Sequence, residues 1–259
     1  MPFHVSEKKE AKNFKKTQFM DLPAGQHVVR VLNSDYVEYD QHWIGGGILC
    51  LGEDECPQCQ HNRKILAQVN GDFNAAKKVN GFNWRQTRGA VNVLDRTNTK
   101  ICPKCGKENK SVNSMFSAVC PECGTILTEV PVQPLNQVKV FSRAKSVFDA
   151  ITNLELTTLD ANKEPLGINN FDLNLHVVGN TTLPLPGDGR DKVEVPDDAL
   201  FDLDNVVLRL SADEMEKRMR GVSVRDIFAA RNIMMDEPEV AESKLTVEEV
   251  EKKIDELFA

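Results

Sequence analysis

Phe171-Asp172-Leu173-Asn174-Leu175-His176-Val177 sets an apolar side chain at every second position. Successive side chains of a strand point to opposite faces, so this alternation predicts a β-strand with one face buried. Three other segments repeat the pattern less cleanly. His27–Leu32 is apolar around Arg30, Val91-Asn92-Val93 follows Arg88-Gly89, and Val138 and Val140 oppose Lys139, Phe141 and Arg143. Helical spacing is rarer. Pro57–Val69 opens with a proline suited to a first helical turn and runs into Asn70-Gly71. Val147, Phe148, Ile151 and Leu154 recur at helical intervals after Lys145, and a further helical stretch covers Ala212–Ala230. Gly45-Gly46-Gly47 and the Pro-, Gly- and Asp-rich Leu183–Asp198 read as loops. Short strands punctuated by turns, with few helices, predict a mainly β (α+β) fold with a barrel-like core rather than a doubly wound sheet.

The 259 residues are 41% hydrophobic and 27% charged, the balance of a folded soluble chain. No apolar run approaches the roughly 18–20 residues of a membrane span, and Met1–Asp21 is polar and Lys-rich with no apolar core of a signal peptide. Membrane and secreted readings are therefore disfavoured. The net charge of −7 is unevenly spread: residues 1–59 carry −3, residues 60–150 carry +8, and residues 151–259 carry −12. A basic middle followed by an acidic end is consistent with a polyanionic partner and an interaction tail, as well as with an unevenly solvated surface.

Seven cysteines cannot pair completely into disulfides, and six of them lie in Cys-x-x-Cys pairs. Cys102-Pro-Lys-Cys105-Gly and Cys120-Pro-Glu-Cys123-Gly repeat one knuckle. Each proline sets φ in a tight turn, and each glycine can take positive φ so that backbone N–H groups face the thiolates. Four thiolates supplied two by two suit tetrahedral zinc better than a redox dithiol or two disulfides, so the segment from about 97 to 132 reads as a zinc ribbon. A site closed by four protein ligands is structural. An earlier cluster holds Cys50, Cys56 and Cys59, with His42 or His61 as the fourth ligand. His42 is preferred because it lies on a separate β-segment and closes a loop across the fold. The implied cofactor is two zinc ions per chain. No His-x-Glu, His-Glu-x-x-His, Gly-x-Ser-x-Gly or Walker loop occurs, so no catalytic residues are visible and an enzyme is not expected.

Between and after these clusters lie Phe82-Asn-Trp84-Arg85-Gln-Thr-Arg88 and Lys139-Val-Phe141-Ser-Arg143-Ala-Lys145. In a strand, Phe82, Trp84, Gln86 and Arg88 share one face, as do Lys139, Phe141 and Arg143. A face alternating cation and ring suits single-stranded nucleic acid: cations track phosphates, and rings stack on bases of any identity.

With these residues, the order of features resembles the zinc-containing single-stranded DNA-binding (helix-destabilising) proteins of bacteriophage replisomes. The resemblance rests on Gly25–Leu32 as a first strand, and on His42, Cys50, Cys56 and Cys59 in the order of the family's zinc ligands. Val138–Ile151 adds a strand followed by a helix, and Asn170–Gly179 a late core strand. It implies a basic arm over residues 1–21, with Lys8, Lys12 and Lys16 on one helical stripe beside Lys9 and Lys15. It further implies an OB-fold-like core over 22–232 with the Cys102–Cys123 ribbon inserted, and an acidic tail over 233–259. The family's cleft is rich in tyrosine, whereas this chain has only Tyr36 and Tyr39. The DNA-binding set is accordingly Tyr39, Trp43, Phe82, Trp84, Arg85, Arg88, Lys139, Phe141, Arg143 and Lys145.

The tail itself reads as an amphipathic helix. Thr246-Val-Glu-Glu249 is a capping box, and Val250, Ile254, Leu257 and Phe258 continue an apolar stripe from Val247. The resemblance implies that this stripe docks replisome or recombination proteins, that the protein self-associates along DNA, and that it works in the cytoplasm of a bacterial host. The expected function is sequence-independent coating of single-stranded DNA in replication, recombination and repair. The competing expectation is a zinc-ribbon protein-interaction module or transcription accessory factor.

Overall fold

The structure is a computed structural model and describes residues 4–5, 17–111 and 115–231. The expected basic arm, except for positions 4–5 and 17–21, and the expected tail, with Val250, Ile254, Leu257 and Phe258, lie outside the described residues. The elements in chain order are β1 (His4–Val5), β2 (Gly25–Val31), β3 (Asp35–Trp43), β4 (Gly47–Leu49), α1 (Pro57–Gln68), α2 (Phe73–Ala76), β5 (Gln86–Asp95), β6 (Asn98–Ile101), β7 (Glu108–Lys110) and β8 (Gln133–Pro134). They continue with β9 (Gln137–Ala144), α3 (Lys145–Thr157), β10 (Asp172–Val178), β11 (Thr181–Pro186), α4 (Ala212–Met219) and α5 (Val224–Ala230).

Among the described residues, the strands form an eight-stranded sheet in the order β1-β3-β5-β2-β10-β11, with β4 on β3 and β9 on β5, and a three-stranded sheet β7-β6-β8. Pairing is antiparallel except where β1 meets β3. The mainly β, α+β expectation is thus met. The large sheet does not close into a barrel: β9 and β11 are not paired, and each pairs with one neighbour.

The opening alternation holds along β10 from Leu173 onward, whereas Asp172 is buried as well. Phe171, Leu173, Leu175 and Val177 are buried, while Asn174 is half-buried and His176 exposed. Those side chains join Val29 and Val31 of β2, Val91 and Val93 of β5, Phe141 of β9, and Val147, Phe148 and Ile151 of α3 in the main core. The Phe148 ring lies directly on β5 at Gly89, where a Cβ would come within 2.5 Å of the ring. Any larger residue there would force the Phe148 ring to shift. The opposite face of β5 is also covered. Asn92 accepts from Phe201 N–H at 2.9 Å and donates to its carbonyl at 3.0 Å, and so pins the 201–207 segment over Ala90, Val140 and Val37.

Two elements depart from the sequence expectation. Thr181–Pro186 forms β11 where Leu183–Asp198 reads as loop, because Pro184 and Pro186 sit on an edge strand that demands few N–H donors. Ala212–Ala230 is two helices, since Gly221 at φ 93° ends α4 and the Ser223 hydroxyl, accepting from Asp226 N–H, begins α5. The chain divides into two compact units, Met1–Ala212 and Asp213–Ala259. Arg30, in the first alternating segment, is fully buried. Its guanidinium meets Asp172 at 2.8 Å and Asp191 at 3.4 Å, and Arg96 joins the same two carboxylates at 3.1 and 2.8 Å.

The ribbon hangs between β5 and β9, and two ion pairs fix it to the sheet. Lys110 of β7 meets Asp95 of β5 at 2.8 Å, both side chains buried, and Lys139 of β9 meets Glu108 of β7 at 2.8 Å.

Candidate functional site

The first ligand cluster is assembled from three elements. His42 sits near the end of β3 opposite Ile48 of β4, Cys50 follows β4, Cys56 is the N-cap position of α1, and Cys59 lies in its first turn. Cys50 is held close by its N–H, which donates to the Asp40 carbonyl at 2.8 Å. His42 Nε2 lies 3.4 Å from both Cys56 Sγ and Cys59 Sγ, and the Cys50 and Cys59 sulfurs are 3.6 Å apart. All four donor atoms lie within 4.8 Å of one another. A tetrahedron with metal–sulfur bonds of about 2.3 Å has edges of about 3.7 Å, so the donors stand where a tetrahedral ion would hold them. A disulfide would need the sulfurs at about 2.05 Å, and all seven cysteines are free. His42 Nδ1–H donates to the Asn83 carbonyl at 2.8 Å and turns Nε2 toward the thiols, the usual outer support of a metal-bound histidine. His61 instead lies against Gly81, away from the cluster.

The second cluster repeats one knuckle twice. The Gly106 and Gly124 N–H groups return to the Cys102 and Cys120 carbonyls at 2.9 Å each, with φ of 70° at both glycines. The positive φ expected from the Cys-Pro-x-Cys-Gly repeat is therefore present in both turns. Cys102 and Cys123 sulfurs lie 3.6 Å apart, as do those of Cys105 and Cys120. Cys102, Cys120 and Leu127 form the small core beneath them.

Each cluster mixes easily and reluctantly ionised thiols. Burial raises Cys56, but the His42 imidazole and backbone N–H groups outweigh it and bring that thiol down to about 6, while burial and neighbouring sulfurs push Cys59 up. Backbone N–H groups of Cys105 and Lys104 hold Cys102 down to about 6. At Cys105 the Lys107 N–H opposes burial and the other thiols, which prevail and push it up to about 12. Crowded thiolates repel one another, and a divalent cation relieves that repulsion. Both donor sets, His with three Cys and four Cys, could hold a metal ion.

Four of the expected DNA-binding residues line one groove of about 360 Å³: Tyr39, Trp43, Arg88 and Arg143. Trp43 is 60% exposed on its wall, and Phe19, 48% exposed, is a lining ring that the sequence reading missed. Tyr39 is nearly buried in the floor, its hydroxyl 2.8 Å from Ser142 Oγ. Arg88 donates to the Ser142 carbonyl at 3.1 Å, and Arg143 Nε donates to Thr182 Oγ1 at 3.1 Å. Neither arginine forms an ion pair among the described residues. Burial, then the neighbouring Arg88, pushes the Arg143 guanidinium below its usual range, so folding holds positive charge here against its own preference.

The remaining members of the set fall elsewhere. Phe141 is 1% exposed in the main core and has no face to offer a base. Lys139 is buried and neutralised by Glu108. Arg85 is held by Glu53 at 2.7 Å and Asp40 at 3.7 Å, and Lys145 by Asp149 at 2.9 Å and Glu38 at 3.1 Å. Phe82 and Trp84 precede β5 rather than lying in it. They form an aromatic cluster with Phe73, the Phe82 and Trp84 rings stacked at 6.0 Å and Lys77 standing 4.6 Å over Phe73. No protein-family model and no curated protein matches the chain.

Proposed function

We propose that this protein binds single-stranded nucleic acid, DNA in the first instance, without sequence preference and without catalysis. The observation that carries the reading is the groove that Arg88 and Arg143, free of ion pairs among the described residues, line together with the exposed rings of Trp43 and Phe19. Unpaired cations release counterions from phosphates, and exposed rings stack on bases that a duplex keeps covered. The groove volume falls in the range that small ligands fill, room for a nucleotide or two of a strand threading through. In this reading zinc fills both cysteine clusters, because soft thiolates with imidazole at tetrahedral spacing select it. The core is OB-fold-like, with the Arg143–Thr182 hydrogen bond spanning the gap between β9 and β11 that would close a barrel. Coating of DNA in a phage replication setting, in a bacterial cytoplasm, with partners taken up by the acidic tail, follows from the family resemblance.

Titration with fluorescently labelled oligo-dT and a matched duplex tests the proposal. Strong salt-sensitive binding of oligo-dT with weak binding of duplex is expected, and equal affinity for both refutes it. The ribbon favours a second reading, as a protein-docking module, because Met115 is 72% and Ile126 69% exposed on it. Absence of oligo-dT binding would leave that reading standing.

A further inference from the structure

Pairing between β3 and β5 ends at Gln41–Gln86, one residue before the metal-facing His42. Beyond that rung the side chain of Asn83 takes over the role of a strand. Its Oδ1 accepts from the Trp43 N–H at 2.9 Å, and its Nδ2 donates to the Trp43 carbonyl. One amide thus satisfies both backbone groups of Trp43.

The backbone of Asn83 is held just as fully, from the metal side. Its carbonyl accepts from His42 Nδ1–H at 2.8 Å and from Asn62 Nδ2 at 2.7 Å, and its N–H donates to Asn62 Oδ1 at 3.0 Å. Asn62 is buried on α1, three residues past the ligand Cys59, and is itself fixed by the buried Gln58 at 2.9 Å. Covalently, Asn83 is followed by Trp84, 46% exposed. A single residue therefore touches a metal ligand through its carbonyl, the helix carrying two further ligands through its amide, one exposed tryptophan through its side chain and the other through the chain.

We propose that Asn83 is a positioning residue that transmits the geometry of the His42–Cys50–Cys56–Cys59 cluster to Trp43 and Trp84 and holds each ring in its own orientation. As a contributor to binding, the inference rests on the single-strand reading above; as a statement about the two rings, it does not. An amide fixed at every hydrogen-bonding atom holds its partners in one orientation, and stacking depends on ring orientation. When the metal is bound at His42 Nε2, the imidazole plane is set, and with it the Asn83 carbonyl and both tryptophans.

The chain contains only two tryptophans, so intrinsic fluorescence reports on this locus alone. The experiment compares wild type, Asn83→Ala and Asn83→Asp, each with its metal content measured, by acrylamide quenching of tryptophan emission and by oligo-dT titration. Asn83→Ala removes both side-chain bonds to Trp43 and keeps the backbone contacts. Asn83→Asp keeps the acceptor and the size but loses the donor, so it answers the question even if the alanine variant folds poorly. The expected result is unchanged metal content, easier quenching in both variants, and oligo-dT affinity about tenfold weaker, the loss of one well-oriented stack. In a Trp43→Ala, Trp84→Ala background, Asn83→Ala should weaken binding no further. Wild-type quenching in both variants overturns the proposal, and so does an equal affinity loss in the background without tryptophans. If the wild type does not bind oligo-dT, the single-strand reading falls, while the quenching comparison still decides whether Asn83 orients the rings.

Discussion

Replacing Arg88 and Arg143 by glutamine separates the cations that can meet phosphate from those that cannot. The structure assigns the difference: Arg85, Lys139 and Lys145 already hold carboxylates within 4 Å, whereas among the described residues Arg88 and Arg143 hold only hydroxyl and carbonyl oxygens. On a single strand each phosphate contact contributes about 0.7 to the slope of log affinity against log salt, so the double variant should lose about 1.4 from that slope. Across a fourfold rise in salt, its affinity should then fall about sevenfold less than that of the wild type. Removing Lys139 and Lys145 as a control pair should change the slope by much less. Stability should move in the opposite sense to binding. Burial and the Arg88 charge disfavour the Arg143 cation, so Arg143→Gln should leave the thermal midpoint unchanged or raise it. Fluorescence titration of labelled oligo-dT at several salt concentrations, with a thermal melt of each variant, reads both quantities. An unaltered slope in the double variant, or an equal change in the control pair, refutes the assignment of the groove.

Two further outcomes follow from the buried charges of the core. Asp172→Asn leaves the fully buried Arg30 with only the more distant Asp191, and should cost about 3 kcal/mol, the low end for a broken buried pair because one partner remains. Urea unfolding should show this as a lower midpoint at constant m-value, and a loss under 1 kcal/mol would contradict the assignment. His27 is buried, its Nε2 2.7 Å from the Pro23 carbonyl, with Lys110, Asp95 and Asp21 acting on it through space. Burial above all pushes its pKa below 6.5, so the unfolded chain takes up this proton first as pH falls. Stability should be full above pH 6.5 and decline below it, and His27→Gln should flatten the decline in thermal melts between pH 7.5 and 5.5. A wild-type curve level over that range would count against the buried neutral imidazole.

The parts of this protein that could be read from its sequence are those where one face of an element is dry and the other wet. β10 and α3 stand on that contrast, and so does the start of α1 at Pro57. β3 does not, and beyond placing His42 on a β-segment the sequence gives no sign of its extent. One of its faces carries Tyr36, Glu38, Asp40 and His42, the other Val37, Tyr39, Gln41 and Trp43, so neither face reads as apolar. β5 shows itself only in part, for the opposite reason: covered on both sides, it alternates just at Val91-Asn92-Val93. Both cysteine clusters were legible because ligand chemistry fixes residue type and spacing together. The cationic groove was legible only by half. Charge in a sequence does not say whether a carboxylate waits across the fold, as it does for Arg85, Lys139 and Lys145. Phe141 shares a strand face with Arg143, yet two residues of register separate a sealed core from its rim. Asn83 carries no signal at all, because its role depends on a carbonyl and an amide meeting partners 20 and more positions away.

The ribbon leaves and rejoins the sheet at a single rung, Asp95 opposite Gln137. In topological terms β5 and β9 are an ordinary hairpin whose tip has been replaced by a metal-binding module, so shortening that tip to a few residues should cost little chain entropy. The obstacle to such surgery is electrostatic. Asp95 and Lys139 both belong to the hairpin and both spend their charge on the ribbon, so a trimmed chain would strand an anion and a cation in the interior. Excision therefore calls for neutral replacements at 95 and 139 made in the same step, and a ribbon grafted onto another hairpin would need the counterparts of those two residues waiting in its new stem.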